Sequence, residues 1–236
     1  MNTDYANELL LASRAGYEKI ASDFSHTRGW FWPELGFIWN LIPKKARLLD
    51  IGCGNGRLLT MPESDGVDYS GIDFSRGLID IARTRYANRP HTEFIEGDAL
   101  ALSFPDKTFD TVVSFAVFHH IPSRAYRIQF LREAARVAKP GAFIIITAWN
   151  VWRARGATII KFALQKFFSP VRFDFGDVLL NFNNEKNARY VHALTISEIR
   201  SLAEEAGLAV DRLEKIRRPS GEENFFILLR KITNPN

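Results

Sequence analysis

The fold of this chain is decided by one stretch, Leu48-Leu49-Asp50-Ile51-Gly52-Cys53-Gly54-Asn55-Gly56. An apolar run, which predicts a buried strand, leads into a carboxylate and then into three glycines at alternating positions. Glycine allows a sharp backbone turn and the close approach of a ligand, because it has no Cβ. The spacing differs from the Gly-x-Gly-x-x-Gly of dinucleotide-binding turns, and the acid before the turn would repel a pyrophosphate but suits an ammonium group. The stretch therefore predicts a ligand-binding turn between a strand and a helix, with a tight turn that binds nothing as the alternative.

The composition is that of an ordinary globular protein. The 236 residues are 46% hydrophobic and 25% charged, and a chain of this length can bury a sizeable core. The net charge of +4 permits nucleic acid or an acidic substrate as a partner without requiring either. Cys53 is the only cysteine, so no internal disulfide forms, and the sequence shows neither a signal peptide nor an apolar run as long as a membrane span. We expect a cytoplasmic protein with no stable membrane insertion.

From Arg47 onwards the predicted strands and helices alternate, which indicates a parallel sheet covered on both faces. Strands are predicted at 47–50, 67–72, 93–96, 109–115, 142–147, 209–216 and 224–231. The connection between the last two strands is too short for a crossover, so they form a hairpin. We expect an α/β, Rossmann-like fold with a seven-stranded, mostly parallel sheet, an antiparallel C-terminal edge hairpin and helices on both faces.

We predict a single domain in four parts. Residues 1–43 are a helical lead-in and residues 44–149 are the ligand-binding core. Residues 150–191 are an insertion rich in aromatic and basic residues, which adds no sheet element, and residues 192–236 carry the C-terminal helix and hairpin. Within the lead-in, the segment 26–30 either connects two helices or forms a lid over the mouth of the ligand site.

Acidic and polar side chains fall at the predicted carboxyl ends of four strands, where open α/β sheets bind their ligands. Asp73 is placed to accept hydrogen bonds from the two hydroxyls of a ribose, and Asp98 with a backbone N–H can read an adenine edge. Asp50 and the glycine backbone face the amino-acid end of such a ligand. Any one of these acids alone is more often a helix cap, but together they predict binding of S-adenosylmethionine. The predicted cofactor-binding residues are Asp50, Gly52, Gly54, Gly56, Asp73, Phe74, Asp98, Ala99 and Ser114, and no metal site is predicted.

Four motifs resemble those of class I S-adenosylmethionine-dependent methyltransferases over residues 45–148. They are Asp50-Ile51-Gly52-Cys53-Gly54-Asn55-Gly56, Gly71-Ile72-Asp73-Phe74-Ser75, Gly97-Asp98-Ala99-Leu100 and Lys139-Pro140-Gly141. The resemblance implies the Rossmann-like fold of that class, S-adenosyl-L-methionine as the cofactor and methyl transfer as the activity.

Further segments are similar to the tRNA wobble-uridine carboxymethyl methyltransferases. They are Tyr17-Glu18-Lys19-Ile20-Ala21, Phe24-Ser25-His26-Thr27-Arg28, Trp32-Pro33, the run from Ser114 to Ile121, Trp149 and Arg189-Tyr190-Val191-His192. The similarity departs at Ala142, and residues 150–188 do not align. It implies methylation of the carboxylate of 5-carboxymethyluridine at the wobble position of tRNA. It also implies two partners, tRNA and, as in eukaryotic members, a small zinc-binding activator protein.

A carboxylate acceptor sets the chemistry of the catalytic residues. It is ionised at pH 7 because its pKa is about 4 in water, so it needs no general base. The protein must place it in line with the methyl group, at about 3–3.5 Å, and Arg28, His119 and His192 are the predicted catalytic residues for this placement. A phenol or amide acceptor would instead need a base, for which His119 or His120 is the candidate. The alternatives are that His120 caps or packs and that Arg28 pairs with a structural acid.

Two other functions stay open. One is a small-molecule or quinone/lipid O- or C-methyltransferase, and the other is a catalytically silent S-adenosylmethionine-binding subunit that presents RNA to a partner. The aromatic and basic segment from Trp149 to Phe175 leaves a similar choice. In the first alternative the segment binds RNA, with its cations on phosphates and its aromatic rings stacked on unpaired bases. In the second it binds an anionic membrane surface. In the third it forms a lid whose aromatic side chains pack inward.

Overall fold

The computed structural model describes residues 1–165, 173–181 and 188–232. Helices α1 to α6 span Thr3–Lys19, Ala21–Thr27, Arg76–Arg85, Arg124–Val137, Val151–Gln165 and Ile196–Glu205. Strands β1 to β9 span Arg47–Ile51, Asp68–Asp73, Thr92–Glu96, Phe109–Phe115, Ala138–Trp149, Asp177–Asn181, Ala188–His192, Leu208–Arg217 and Glu223–Lys231. Short 3₁₀ helices lie at Pro33–Asn40, Arg57–Thr60, Pro62–Ser64 and Phe118–His120. Within these ranges, no helix combines the length and the apolar character that a membrane crossing requires.

Seven strands form the main sheet, in the order β3-β2-β1-β4-β5-β9-β8. Strands β1 to β5 pair in parallel, whereas β9 pairs antiparallel with both β5 and β8. Val112 and Val113 are successive residues of β4 and are both fully buried, which requires cover on both faces of the sheet. Val112 packs with α4 and α6, and Val113 packs with α3 and the lead-in. The predicted fold class is confirmed.

The lead-in is helical, as its apolar spacing predicts, and it covers one face of the sheet. Its last part contains the 3₁₀ helix Pro33–Asn40, with the proline in the first turn. Five apolar residues in and beside this helix are buried: Phe31, Leu35, Ile38, Trp39 and Ile42. Helices α1 and α2 precede it and contact α3, so they lie beside the carboxyl end of β2.

Residues 150–191 differ from the prediction, which placed no sheet element there. Strands β6 and β7 pair antiparallel in a separate two-stranded sheet. Val178 lies opposite Val191 across this sheet, and both side chains are fully buried against α5. Burial of this aliphatic pair explains why a segment with a strong aromatic and basic composition still forms strands. Lys166, Phe167, Phe168, Arg172 and Phe182 of the segment lie outside the described residues.

Candidate active site

A cavity of about 1460 Å³ lies beyond the carboxyl ends of β1, β2, β3 and β4. The loop after β1 forms its floor, and α1 borders it through side chains that include Tyr17. The segment 27–30 lines its mouth, where Trp30 is 76% exposed. This position agrees with the lid interpretation of the segment.

The glycine loop adopts a backbone that only glycine accommodates easily. Gly52, Gly54 and Gly56 have φ values of 74°, 56° and 72°. A Cβ on Gly52 would lie 2.3 Å from Cγ2 of Val117, so this position has no room for a side chain. Gly52 and Gly54 line the cavity, as predicted. Gly56 lies outside the lining, where a Cβ would lie 2.8 Å from the Tyr86 ring, so its role is in packing.

Asp73 ends β2 and joins two elements of the site. Its Oδ2 accepts a hydrogen bond from Gly54 N at 2.9 Å, and its Oδ1 accepts one from Ser75 N at 2.9 Å. Burial raises the pKa of this carboxyl to about 6. Asp73 and Phe74 line the cavity, and each carboxylate oxygen has a second lone pair that can accept a ligand hydroxyl. The carboxylate therefore holds the glycine loop in shape and also faces the ligand space.

Asp98 and Ala99 follow β3 and line the same end of the cavity. Oδ1 of Asp98 accepts a hydrogen bond from Leu100 N at 2.8 Å, which fixes the direction of the carboxylate. A fixed acceptor beside backbone N–H groups suits the edge of an adenine ring.

Asp50 and Ser114 do not line the cavity, which corrects their assignment as direct ligands. Asp50 shares the face of β1 that carries Leu48, because side chains alternate along a strand, and its Oδ2 accepts a hydrogen bond from the Tyr69 hydroxyl at 2.8 Å. Burial raises its pKa to about 7. Ser114 donates to the carbonyl of Ile51 at 2.8 Å. Both residues support the glycine loop from behind.

The cavity wall also carries several arginines, two of which lie over aromatic rings. The Arg28 guanidinium lies 4.7 Å from the centroid of Phe24, and that of Arg189 lies 4.5 Å from the centroid of Trp149. Burial lowers the pKa of Arg28, and the nearby guanidinium of Arg189 lowers it further. The arginines that line the cavity include Arg28, Arg57, Arg153, Arg155, Arg189 and Arg218. These guanidinium groups favour an anionic ligand.

His119 is not at the cavity, contrary to the prediction. It is fully buried and stacks on Trp149, with ring centroids 4.5 Å apart. Burial lowers its pKa well below the usual 6.5. Its Nε2 has no hydrogen-bond partner among the described residues. The 3₁₀ turn Phe118–His120 after β4 directs this ring into the core and brings the next residue to the ligand space.

His120 lines the cavity instead. Its Nδ1 lies 2.9 Å from the carbonyl oxygen of Tyr190, so Nδ1 carries the proton, and its Nε2 can accept from the Tyr17 hydroxyl at 3.3 Å. Burial lowers its pKa to about 3. His120 is therefore a neutral hydrogen-bonding group rather than a cation or a strong base.

His192 belongs to a buried network of charged side chains and does not line the cavity, which corrects the third predicted catalytic residue. Its Nδ1 lies 2.6 Å from Asp177, and its Nε2 lies 2.9 Å from Glu198. Arg127 completes the network at 3.4 Å from Glu198. Burial acts to lower the His192 pKa, but the two carboxylate partners outweigh it and raise the pKa above 6.5. This network joins β6 and β7 to α4 and α6.

Sequence reasoning missed Tyr17 and Arg189 as cavity residues. Tyr17 was placed on an apolar helical face, and Arg189 lies in the motif from which His192 was chosen. Side chains alternate along a strand, so Arg189 and His192, three residues apart on β7, point to opposite sides. This alternation could have indicated that the two side chains do not face the same space.

Residues 49–146 match the family model described as a methyltransferase domain. A tRNA (carboxymethyluridine(34)-5-O)-methyltransferase from Arabidopsis thaliana is 35% identical over 133 residues, which are 56% of this chain and 31% of that protein. The chain thus spans less than a third of the length of this relative. A putative methyltransferase from Encephalitozoon cuniculi is 29% identical over 217 residues, covering 91% of this chain and 93% of the other.

The fold has a close match among solved structures. In the complex between the Haloferax volcanii Trm112 methyltransferase activator and the putative methyltransferase, the matching chain has a TM-score of 0.71 at 16% identity. The match covers 95% of this chain and 99% of that chain.

The fold is shared with solved structures that are described as S-adenosylmethionine-dependent methyltransferases. Residues 49–146 match the model of a methyltransferase domain, and the relatives that align over this core include proteins named as tRNA methyltransferases.

The residues present fit S-adenosylmethionine. Gly52 and Gly54 leave room for a ligand at the backbone, Asp73 and Asp98 offer acceptors at the ends of neighbouring strands, and the arginines of the cavity wall suit carboxylates. When bound, this cofactor supplies a methyl group on a sulfonium.

Proposed function

We propose that this protein methylates the carboxylate of 5-carboxymethyluridine at the wobble position of tRNA, with S-adenosylmethionine as the methyl donor. One observation carries the proposal above the others. The cavity is lined by Arg28 and Arg189, and each of these guanidinium groups lies over an aromatic ring. The planar guanidinium presents a fork of donors that matches a carboxylate.

Among the residues that the structure describes, His120 is the one histidine that lines the cavity. His120 has a pKa of about 3, so it is a weak proton acceptor at neutral pH. A phenol, hydroxyl or amide acceptor would require a better base, whereas a carboxylate is ionised already. The state of His120 therefore favours a carboxylic acid as the acceptor.

Arg28 and Arg189 would orient the acceptor carboxylate, and the Tyr17–His120 pair would add hydrogen bonds nearby. Asp73 and Asp98 would hold the ribose and the adenine of the cofactor, with Phe74 and Ala99 in contact with the same part. The protein's contribution is alignment, because displacement at a sulfonium methyl needs an in-line approach more than it needs proton transfer.

Helix α5 and the tip of the C-terminal hairpin would contact the RNA. Arg153 and Arg155 line the cavity on α5 and are exposed. Arg153 lies 3.6 Å from Glu223, and its own side chain is 49% exposed, so it can also reach a phosphate. Trp30, exposed at the mouth, could stack on an unpaired base. Cytoplasmic tRNA is the partner that this surface suits.

We also propose a small zinc-binding activator as a partner. The support is the structural likeness to the methyltransferase solved with its Trm112 activator. Co-expression of this chain with such an activator should increase the yield and activity of the soluble complex. Separate migration of the two proteins in size-exclusion chromatography would argue against it.

A methylation assay with matched substrates tests the proposed function. Purified protein, with and without the activator, receives labelled S-adenosylmethionine and one of two tRNAs. These differ only in 5-carboxymethyluridine or uridine at the wobble position. Label should enter the first tRNA alone. Two results together would favour the small-molecule alternative: the label does not distinguish the two tRNAs, and it is transferred to a small phenol or quinone.

A further inference from the structure

Arg57 occupies an unusual position in the wall of the cavity. It opens the 3₁₀ turn that follows the glycine loop, and its guanidinium carbon lies 4.1 Å from the centroid of the Trp32 ring. The guanidinium carbon of Arg218 lies 4.9 Å from the same centroid. Arg28, Arg57 and Arg218 all line the cavity and are close enough for their charges to interact. The wall thus places two guanidinium groups over one tryptophan, with a third, that of Arg28, close enough to interact with them.

The three guanidinium groups differ in how far acidic side chains balance their charge. Arg218 donates to Glu34 at 3.0 Å and to Glu222 at 2.8 Å. For the Arg57 guanidinium, the structure records neither a hydrogen bond nor an ion pair with any of the residues it describes. Asp50 is the acid that acts on it most strongly.

Asp50 is a poor partner for Arg57 because its carboxylate accepts from Tyr69, and its pKa of about 7 leaves it only partly ionised at neutral pH. Burial also lowers the Arg57 pKa to about 10, which reflects a cation removed from water without a full counter-charge. Since Arg57 is half-buried in the cavity wall and its charge is only partly compensated, the arrangement suits an anion that arrives with a ligand.

We propose that Arg57, supported by the Trp32 ring and flanked by Arg28 and Arg218, is a carboxylate-binding site. The planar guanidinium matches a carboxylate through two parallel hydrogen bonds, and the indole ring holds it flat in the wall. Two carboxylates can reach this cavity. One is the α-carboxylate of the cofactor's methionine part, and the other is the acceptor carboxylate, which rests on the proposed function.

Calorimetry on the full chain distinguishes the two sources. S-adenosylhomocysteine carries the methionine-derived carboxylate, whereas 5′-methylthioadenosine lacks it. If the cofactor carboxylate binds here, Arg57→Met should weaken S-adenosylhomocysteine binding at least tenfold and leave 5′-methylthioadenosine binding within twofold of wild type. If the acceptor carboxylate binds here, both affinities stay unchanged and single-turnover methylation of tRNA carrying 5-carboxymethyluridine slows at least tenfold.

Arg57→Lys keeps the positive charge but not the forked pair of donors, so it should reduce the same affinity or rate by less than Arg57→Met does. Arg212→Met is the matched control, because Arg212 also lies over aromatic rings, at 5.4 Å from Phe37 and 5.5 Å from Phe226, but outside the cavity. It should change neither affinity.

Two results would overturn the carboxylate site. One is an Arg57→Met protein with unchanged affinities and an unchanged rate of single-turnover methylation. The other is an equal loss of affinity for both adenosine ligands, which indicates a distorted loop. Because calorimetry uses no tRNA, failure of the tRNA assay alone would refute the proposed function and leave this site standing.

Discussion

Asp73 is the side chain on which cofactor binding depends most. Asp73→Ala removes an acceptor from the ligand and two hydrogen bonds that hold Gly54 and Ser75. With a charged acceptor contributing roughly 1.5–3 kcal/mol per hydrogen bond, affinity for S-adenosylmethionine should fall at least tenfold in calorimetry. Asp68→Ala, on the same strand but outside the cavity, is the control. Wild-type affinity in the Asp73 variant would show that this acid does not bind the ligand.

Arg28 and Arg189 should act at the reacting group rather than in overall RNA affinity. Loss of one charged hydrogen bond, roughly 1.5–3 kcal/mol, should lower single-turnover methylation of tRNA at least tenfold in Arg28→Ala or Arg189→Ala. Binding of tRNA should change less than twofold, because each arginine supplies one of many interactions with the RNA. Arg28→Lys, which keeps the charge, should recover part of the rate. Equal losses of binding and turnover would mean that these arginines bind the RNA backbone.

The pH dependence of the rate reports the acceptor. A carboxylate acceptor is ionised throughout, and His120 with its pKa of about 3 is neutral throughout, so neither titrates between pH 6.5 and 9. The methylation rate in this window should therefore lack the ascending limb of a general base. A rate that climbs tenfold per pH unit there would indicate a hydroxyl, phenol or amide acceptor.

At the scale of elements, the buried network around His192 holds β6 and β7 on the core. Breaking a buried, paired charge costs about 3–5 kcal/mol, so His192→Ala should lower the free energy of unfolding by about 3 kcal/mol. Cofactor affinity should stay near wild type because the network does not line the cavity. If His192→Ala kept its full stability and lost only turnover, His192 would have the catalytic role that the sequence analysis predicted.

The same network gives stability a defined pH dependence. The folded-state pKa of His192 is raised above its ordinary value of 6.5, so the folded state holds the proton more tightly than the unfolded state. This contribution is fully present below pH 6.5 and is lost as pH rises through the raised pKa. Denaturant titrations of wild type should show this loss, and His192→Gln should not. His26→Gln, at an exposed site on α2, is the control. Parallel profiles for wild type and His192→Gln would contradict the account.

Local pattern predicts the strands and the strand-end acids but not every side-chain direction. Phe109–Phe115 forms β4 with the predicted bounds, because a continuous apolar run of this length indicates a strand that is buried on both faces of a parallel sheet. Strand β5 begins at Ala138 rather than at the predicted residue 142, because Ala138 pairs with Phe109 of β4. Asp50, His119 and His192 were misplaced because pleat and long-range packing decide which way each side chain points.

At the scale of the whole molecule, RNA binding should depend on the exposed cations of α5. Replacing Arg153 and Arg155 by alanine should weaken tRNA binding and reduce its log–log salt slope by roughly 0.7–0.9 for each phosphate that is no longer neutralised. The matched control is the double replacement of Arg76 and Arg83, two exposed arginines on α3 that do not line the cavity. Filter binding across a salt series measures the slope. An unaltered slope in the α5 variant would favour the lid or membrane-surface interpretation.

The central claim is that this protein converts 5-carboxymethyluridine in tRNA to its methyl ester. Mass spectrometry of nucleosides from the tRNA of a strain lacking the protein tests it most directly. The account predicts that 5-methoxycarbonylmethyluridine disappears while the free acid accumulates, and that wild-type protein, but not Asp73→Ala, restores the ester. Unchanged levels of the ester in the strain lacking the protein would contradict the claim.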